Sequence, residues 1–139
     1  TQDIFYNDPK VHYYSTHQYP LYPGTGDTNE VGVNNMINVP LKSGTSSNEF
    51  QKIFDEKIIS KLNEQKPNFM IISAGFDAHQ NDPLANLKLN ENDFKLLTDK
   101  LMAVAAAHCD NRILSMLEGG YDIQALEQSM IMHLKELQK

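Results

Sequence analysis

Residues 68–75 read NFMIISAG, a run without a single charge that starts directly after Pro67 and stops at Gly75. A strand with one wet face alternates apolar and polar residues, so a run this apolar reads as an interior strand of a parallel sheet, covered on both faces. Parallel neighbours need long crossover connections, which means helices packed on the sheet. The rest of the chain supplies them in alternation. VHYYS (11–15), MINVPL (36–41) and RILSML (112–117) are further strand candidates. Ser46 with Glu49 has capping-box form, and Phe50, Ile53, Phe54, Ile58 and Leu62 follow at helical spacing up to Gln65. Asn90 caps a second helix carrying Phe94, Leu97, Leu101, Val104 and Ala105, and a last helix over 122–138 lines up Leu126, Met130 and Leu134. The expectation is one α/β domain with a parallel sheet and helices on its faces.

Open α/β sheets collect ligands outside the carboxyl ends of their strands. Ser15, Asp77 and the sequence Gly119-Gly120-Tyr121 each close a predicted strand, so three segments bring polar or glycine-rich chemistry to one expected edge. Each alone has an ordinary explanation: an Asp after a strand caps or turns, Gly-Gly turns, and a Tyr beside it packs. Their coincidence is the signal. The 17-residue stretch THQYPLYPGTGDTNEVG is long for a connector and adds to it, since unstructured loops of this length inside compact domains tend to be functional.

Charge and cysteine usage narrow the partners. A net charge of −6 with no Lys/Arg cluster argues against a grip on nucleic-acid backbone and leaves a cationic protein tail open as a ligand. A single cysteine, Cys109, excludes an internal disulfide and reads as a small buried hydrophobe. No 18-residue apolar segment and no leader pattern is present, so the expectation is a cytoplasmic chain that does not span a membrane.

The stretches IISAGFDAHQNDPLANLKL, LEGGYD and YYSTHQYPLYPGTGD together resemble the histone deacetylase family, in particular class II-like members and the bacterial acetylpolyamine amidohydrolases and acetoin-utilisation proteins. The likeness is collinear over essentially the whole chain. It implies the arginase–deacetylase fold, a three-layer α/β/α sandwich on a parallel sheet. It also implies that Asp77 binds a catalytic zinc ion and that Tyr121 hydrogen-bonds the substrate carbonyl, with Gly119 and Gly120 turning the backbone tightly beside it. Tyr22 and Leu84 match walls of the tunnel that holds an acyl-lysine chain. Ser15, with the carbonyl of Thr16, resembles part of a monovalent-cation site, K+ in the family. Phe5, Asp8, Val11 and Asn35 fall where backbone carbonyls hold a second such cation. Among the histidines, His79 has D-x-H ligand spacing after Asp77 but stands at a variable, non-ligating position. His17 matches a structural position near the first cation, His12 faces outward, and His108 and His133 lie within helices.

One departure bears on activity. In the family the stretch TQDIFYNDPKVHYYS follows a D-x-H-H-G-N-G segment that supplies two zinc ligands, and a histidine pair lies further upstream, whereas this chain starts at Thr1. The expectation is therefore the C-terminal part of the domain, inactive alone, with an apolar edge that seeks the missing N-terminal half or another copy. Two readings stand: part of a zinc-dependent hydrolase of acetyl-amides, with acetyl-lysine or an acetylated polyamine as substrate, or a non-catalytic remnant serving as an interaction module.

Overall fold

The computed structural model describes residues 1–139 and divides into two compact units, Thr1–Ser43 and Gly44–Lys139. The first holds helix α1 (Gln2–Phe5) and strands β1 (Tyr13–Gln18) and β2 (Met36–Leu41). The strands pair in parallel, from Tyr13 opposite Met36 to Gln18 opposite Leu41. Ser15 was expected to end its strand, and it does not: Thr16, His17 and Gln18 continue the ladder opposite Val39, Pro40 and Leu41. The β-branched Thr16 and Val39 suit that extension. The long connector is organised by Glu30, whose carboxylate accepts hydrogen bonds from the backbone of Gly26 at 2.9 Å and Asp27 at 3.2 Å and from the Gln2 amide. The Gly26 N–H is the main cause holding the Glu30 carboxyl below its ordinary range. The buried Asn38 closes the arrangement, donating to Gln2 Oε1 at 2.7 Å.

The second unit opens with a helical rod: α2 (Ser47–Phe54), a π-helical segment over Asp55–Ile59, and α3 (Ser60–Gln65). Ser46 caps it through Glu49 N–H, and Lys66, in the left-handed conformation with φ 52°, ends it before Pro67. Phe50, Phe54, Ile58 and Leu62 form its buried stripe. Strand β3 (Met70–Ala74) pairs in parallel with β4 (Ile113–Leu117), Met70 opposite Ile113 through Ala74 opposite Leu117. Between them lies α4 (Glu91–His108), capped by a full box in which Asn90 Oδ1 accepts from Asn92 N and Asp93 Oδ2 accepts from Asn90 N. The other oxygen of the buried Asp93 takes the Ser47 hydroxyl, so one carboxylate ties the starts of α2 and α4 together. Helix α5 (Ile123–Leu137), capped by Asp122 through Ala125 N at 2.8 Å, packs along α4. Cys109, at the end of α4, is fully buried.

Two sequence expectations need correction. The strands do not hydrogen-bond into one sheet: β1 pairs only with β2 and β3 only with β4. Strand pairing is a tertiary property that apolar runs do not specify, and here each strand finds a single parallel neighbour. Second, β3 is not buried on both faces. Met70 and Ala74 are covered, while Ile71 is 64% exposed, next to Leu114 and Met116 of β4 at 47% and 55%. No helix is long and apolar enough to cross a membrane.

Candidate functional site

Asp77 follows β3 by three residues, and the chain around it is built to make room. A Cβ on Gly119 would lie 2.9 Å from Asp77 Cγ, and one on Gly75 would lie 2.9 Å from Asp77 Oδ1. Both positions must therefore be glycine for the carboxylate to sit where it does. Backbone bonds hold the two loops in register: Glu118 N to Ala74 O at 3.0 Å and Phe76 N to Gly119 O at 2.8 Å. Asp77 thus packs against Gly119, which precedes Tyr121 by two residues in the chain, at the carboxyl ends of adjacent parallel strands. Burial is the main cause raising its carboxyl above the ordinary 3.8; its own backbone N–H opposes the rise and the nearby Asp82 charge adds to it. An anion held in such a place is under-compensated by the groups around it.

Asp82 is a residue that sequence reasoning missed. It is 8% exposed; Oδ1 accepts from Leu84 N at 2.9 Å and Ala85 N at 3.3 Å, and Oδ2 accepts from Tyr121 N at 2.9 Å. One side chain therefore fixes the turn carrying Leu84 and ties it to the backbone of Tyr121. Asp-Pro at 82–83 signals a turn, but nothing in it announces a bond reaching 39 residues along the chain. Gly120, with φ +135°, allows that approach, and a Cβ there would press on Leu126 and Phe76. Asp82→Ala is expected to destabilise the chain by about 2–3 kcal/mol, the scale of lost hydrogen bonds to a charged group. The urea midpoint should fall with an unchanged slope, and Tyr121 N–H should exchange faster than the β3 and β4 amides. A variant as stable as the parent would end the role given to Asp82.

His79 is buried at 3% exposure rather than poised at a surface. Its Nδ1 accepts from Asn81 N at 3.1 Å, which leaves the proton on Nε2, 3.6 Å from Glu91 Oε2. The 3.6 Å separation is too long for a hydrogen bond, so the ring's bond is the local one to Asn81.

In the first unit, Ser15 and Tyr22 line one open cleft of about 250 Å³. His17 Nε2 donates to Gly26 O at 3.0 Å, so its Nδ1 accepts the Ser15 hydroxyl proton at 2.9 Å. That leaves the lone pairs of Ser15 Oγ for another partner. Tyr22 is 99% exposed, Leu84 61% and Tyr121 56%. The carbonyls of Phe5, Asp8 and Val11 do converge, and they converge on the side-chain nitrogen of Asn35, 2.9 Å from each. Their meeting point is filled, so these residues do not fit a bound cation. For zinc the donor set is partial. Asp77 is a carboxylate in a glycine cradle, fit for one ligand position, and no group of three His, Cys, Asp or Glu side chains in the chain could hold a metal ion.

Comparison with known proteins gives this geometry a context. The histone deacetylase domain model matches residues 1–137. A "probable deacetylase" of Archaeoglobus fulgidus is 43% identical over 128 residues, covering 89% of this chain and 36% of that protein. The HDA15 HD domain superposes with TM-score 0.90 at 31% identity over 98% of this chain and 39% of its own. The acetylpolyamine aminohydrolase from Burkholderia pseudomallei does so with TM-score 0.86 at 26% identity over 98% and 40%. The chain spans little more than a third of the length of these relatives. With the domain model matching nearly the whole of this chain and the fold shared, the chain belongs to the histone deacetylase family and has its arginase–deacetylase fold.

Proposed function

We propose that this chain is the part of a zinc-dependent deacetylase that carries one metal-binding carboxylate and the carbonyl-polarising tyrosine. The observation that carries the reading is the Asp77 carboxylate, seated in the space left by Gly75 and by Gly119, the residue two before Tyr121 in the chain. In this chemistry zinc supplies Lewis acidity toward the amide carbonyl and toward water. Asp77 would hold the metal with one carboxylate, and a cation there would offset the burial and the Asp82 charge that disfavour its ionised form. The Tyr121 phenol would donate a hydrogen bond to the carbonyl oxygen as negative charge develops on it, and Asp82 would position Tyr121 through its backbone. Leu84 and Tyr22 would line the acyl chain, and Ser15 with the Thr16 carbonyl would serve a monovalent cation. The substrate class is an acetyl-amide, as in acetyl-lysine or an acetylated polyamine. The remaining zinc ligands and the general base would come from the N-terminal half of the domain, in the same polypeptide or a separate one.

The purified 139-residue chain is expected to bind zinc only weakly and to release no acetate from acetyl-lysine peptides or acetylated polyamines, since catalytic zinc sites use three protein ligands. Zinc titration with metal analysis and an acetate assay checks both. Robust metal-dependent turnover by this chain alone would overturn the assignment. Supplying the N-terminal half should restore turnover, and Asp77→Asn or Tyr121→Phe should then remove most of it.

A further inference from the structure

Asn35 immediately precedes β2 and is 2% exposed. Its amide nitrogen lies 2.9 Å from the carbonyl oxygens of Phe5, Asp8 and Val11. A primary amide has two hydrogens, so three acceptors at one short distance outnumber what it can donate. Three carbonyl dipoles aimed at one point are the arrangement that holds a cation. Two of these oxygens already serve the local turns, Phe5 O accepting from Asp8 N at 3.0 Å and Asp8 O from Val11 N at 3.2 Å. Their second lone pairs face Asn35.

The orientation of the amide is fixed from the other side. Oδ1 accepts from Val33 N at 3.0 Å, so turning the amide over would set an oxygen against three carbonyls and an N–H against an N–H. Gly32 makes room for this, because a Cβ there would lie 2.4 Å from Asn35 Oδ1 and 2.6 Å from Tyr6 O. The side chain is thus held by a donor on one end and aimed into the carbonyl ring with the other.

We propose that the Asn35 amide takes the place of a monovalent cation in the cradle formed by Phe5, Asp8 and Val11, closing the 5–11 segment with a side chain where an ion would otherwise be needed. The partial positive charge of the NH2 group answers the carbonyl dipoles. Asn35 is then a ligand substitute through its side chain rather than an ion ligand through its backbone. The inference does not depend on the catalytic reading.

The test compares urea unfolding in KCl and in choline chloride at equal ionic strength, using the full chain in a Ser15→Ala background so that the other proposed cation site does not contribute. The Ser15→Ala chain is expected to unfold alike in both salts. Adding Asn35→Ala should raise the unfolding constant in choline chloride by about tenfold, the scale of one or two hydrogen bonds. KCl should recover part of that loss in a saturable manner. K+-dependent stability with Asn35 intact would overturn the proposal, and so would a loss on Asn35→Ala that K+ does not repair, since such a cradle is no cation site. Should the variants fail to fold, side-chain amide NMR of the unsubstituted chain decides. Exchange-protected Asn35 NH2 signals unmoved by KCl support the substitution, and signals displaced saturably by KCl refute it.

Discussion

Replacing His133 by alanine is expected to lower the unfolding free energy by about 3–5 kcal/mol, the range for removing a large buried ring together with its hydrogen bonds. The imidazole is 6% exposed, and its ring lies 5.8 Å from that of Phe76 at 69°, with Phe94 adding a second edge contact to Phe76 at 5.0 Å. Its polar atoms are all used. Thr98 Oγ1 donates to Phe94 O at 2.6 Å, so toward His133 Nδ1, 2.7 Å away, it can only accept. That puts the ring proton on Nδ1 and leaves Nε2 to accept the Ser115 hydroxyl at 2.7 Å. One neutral imidazole therefore ties α4, α5 and β4 together. His133→Phe keeps the volume and strands the two hydroxyls, so its cost should be smaller, about 1–3 kcal/mol. Chemical denaturation of the three forms orders them; an alanine variant within about 1 kcal/mol of the parent would contradict the packing described.

The same site makes stability depend on pH. Burial holds the His133 pKa below its ordinary 6.5, because a charged ring would lose water without gaining an acceptor at either nitrogen. The unfolded chain then takes up the proton before the folded one does. The contribution of His133 is complete above pH 6.5 and declines as the pH falls through that value toward the folded pKa. His133→Phe should remove this component from a plot of unfolding free energy between pH 7 and pH 5 (about the window set by the ordinary histidine pKa). A parent chain whose stability held constant across that window would argue against a neutral, buried His133.

What the sequence disclosed and what it hid divide along physical lines. Ser46 and Asn90 were legible as caps because a cap is a local bond, made within three residues of its side chain. The stripe from Phe50 to Leu62 was legible because helical spacing alone sets which residues share a face. Asp77 and the 119–121 turn were legible as a pair because both follow strands and the ends of parallel strands lie together. Asp82 was not. It is a buried polar group whose value lies in which distant N–H it meets, and spacing carries no record of that. Asn35 was expected to act through its carbonyl, and its side chain makes the contacts instead, a choice decided by Val33 N–H and the space above Gly32. Helix α1 went unseen altogether, being four residues long with no periodicity to read.

The apolar run 68–75 is where sequence and structure part most informatively, and it carries the second large expected effect. Its composition calls for cover on both faces, yet Ile71, Leu114 and Met116 of the β3–β4 sheet, with Phe69 just before β3, stand 47–64% exposed. Ile71 lies opposite Leu114 and Ser73 opposite Met116, so the exposed side chains sit in register on neighbouring strands. Each strand also has one edge without a strand partner. Fully burying an exposed side chain of this size is worth roughly 1.5–3 kcal/mol, and these are already about half covered, so covering three of them gains roughly 2–5 kcal/mol before the cost of association. The chain alone is therefore expected to associate with itself as concentration rises, through this face, unless the rest of a deacetylase domain covers it. Light scattering after size-exclusion chromatography at several concentrations should show the average mass climbing, and the double change Ile71→Ser with Met116→Ser should return it to that of a single chain without lowering the unfolding midpoint. Adding the N-terminal half of the domain should have the same dissociating effect, because one surface cannot take both partners. A chain that stays strictly monomeric at every concentration and melts in one sharp transition would mean that this face is stable in water, against the composition of its strands.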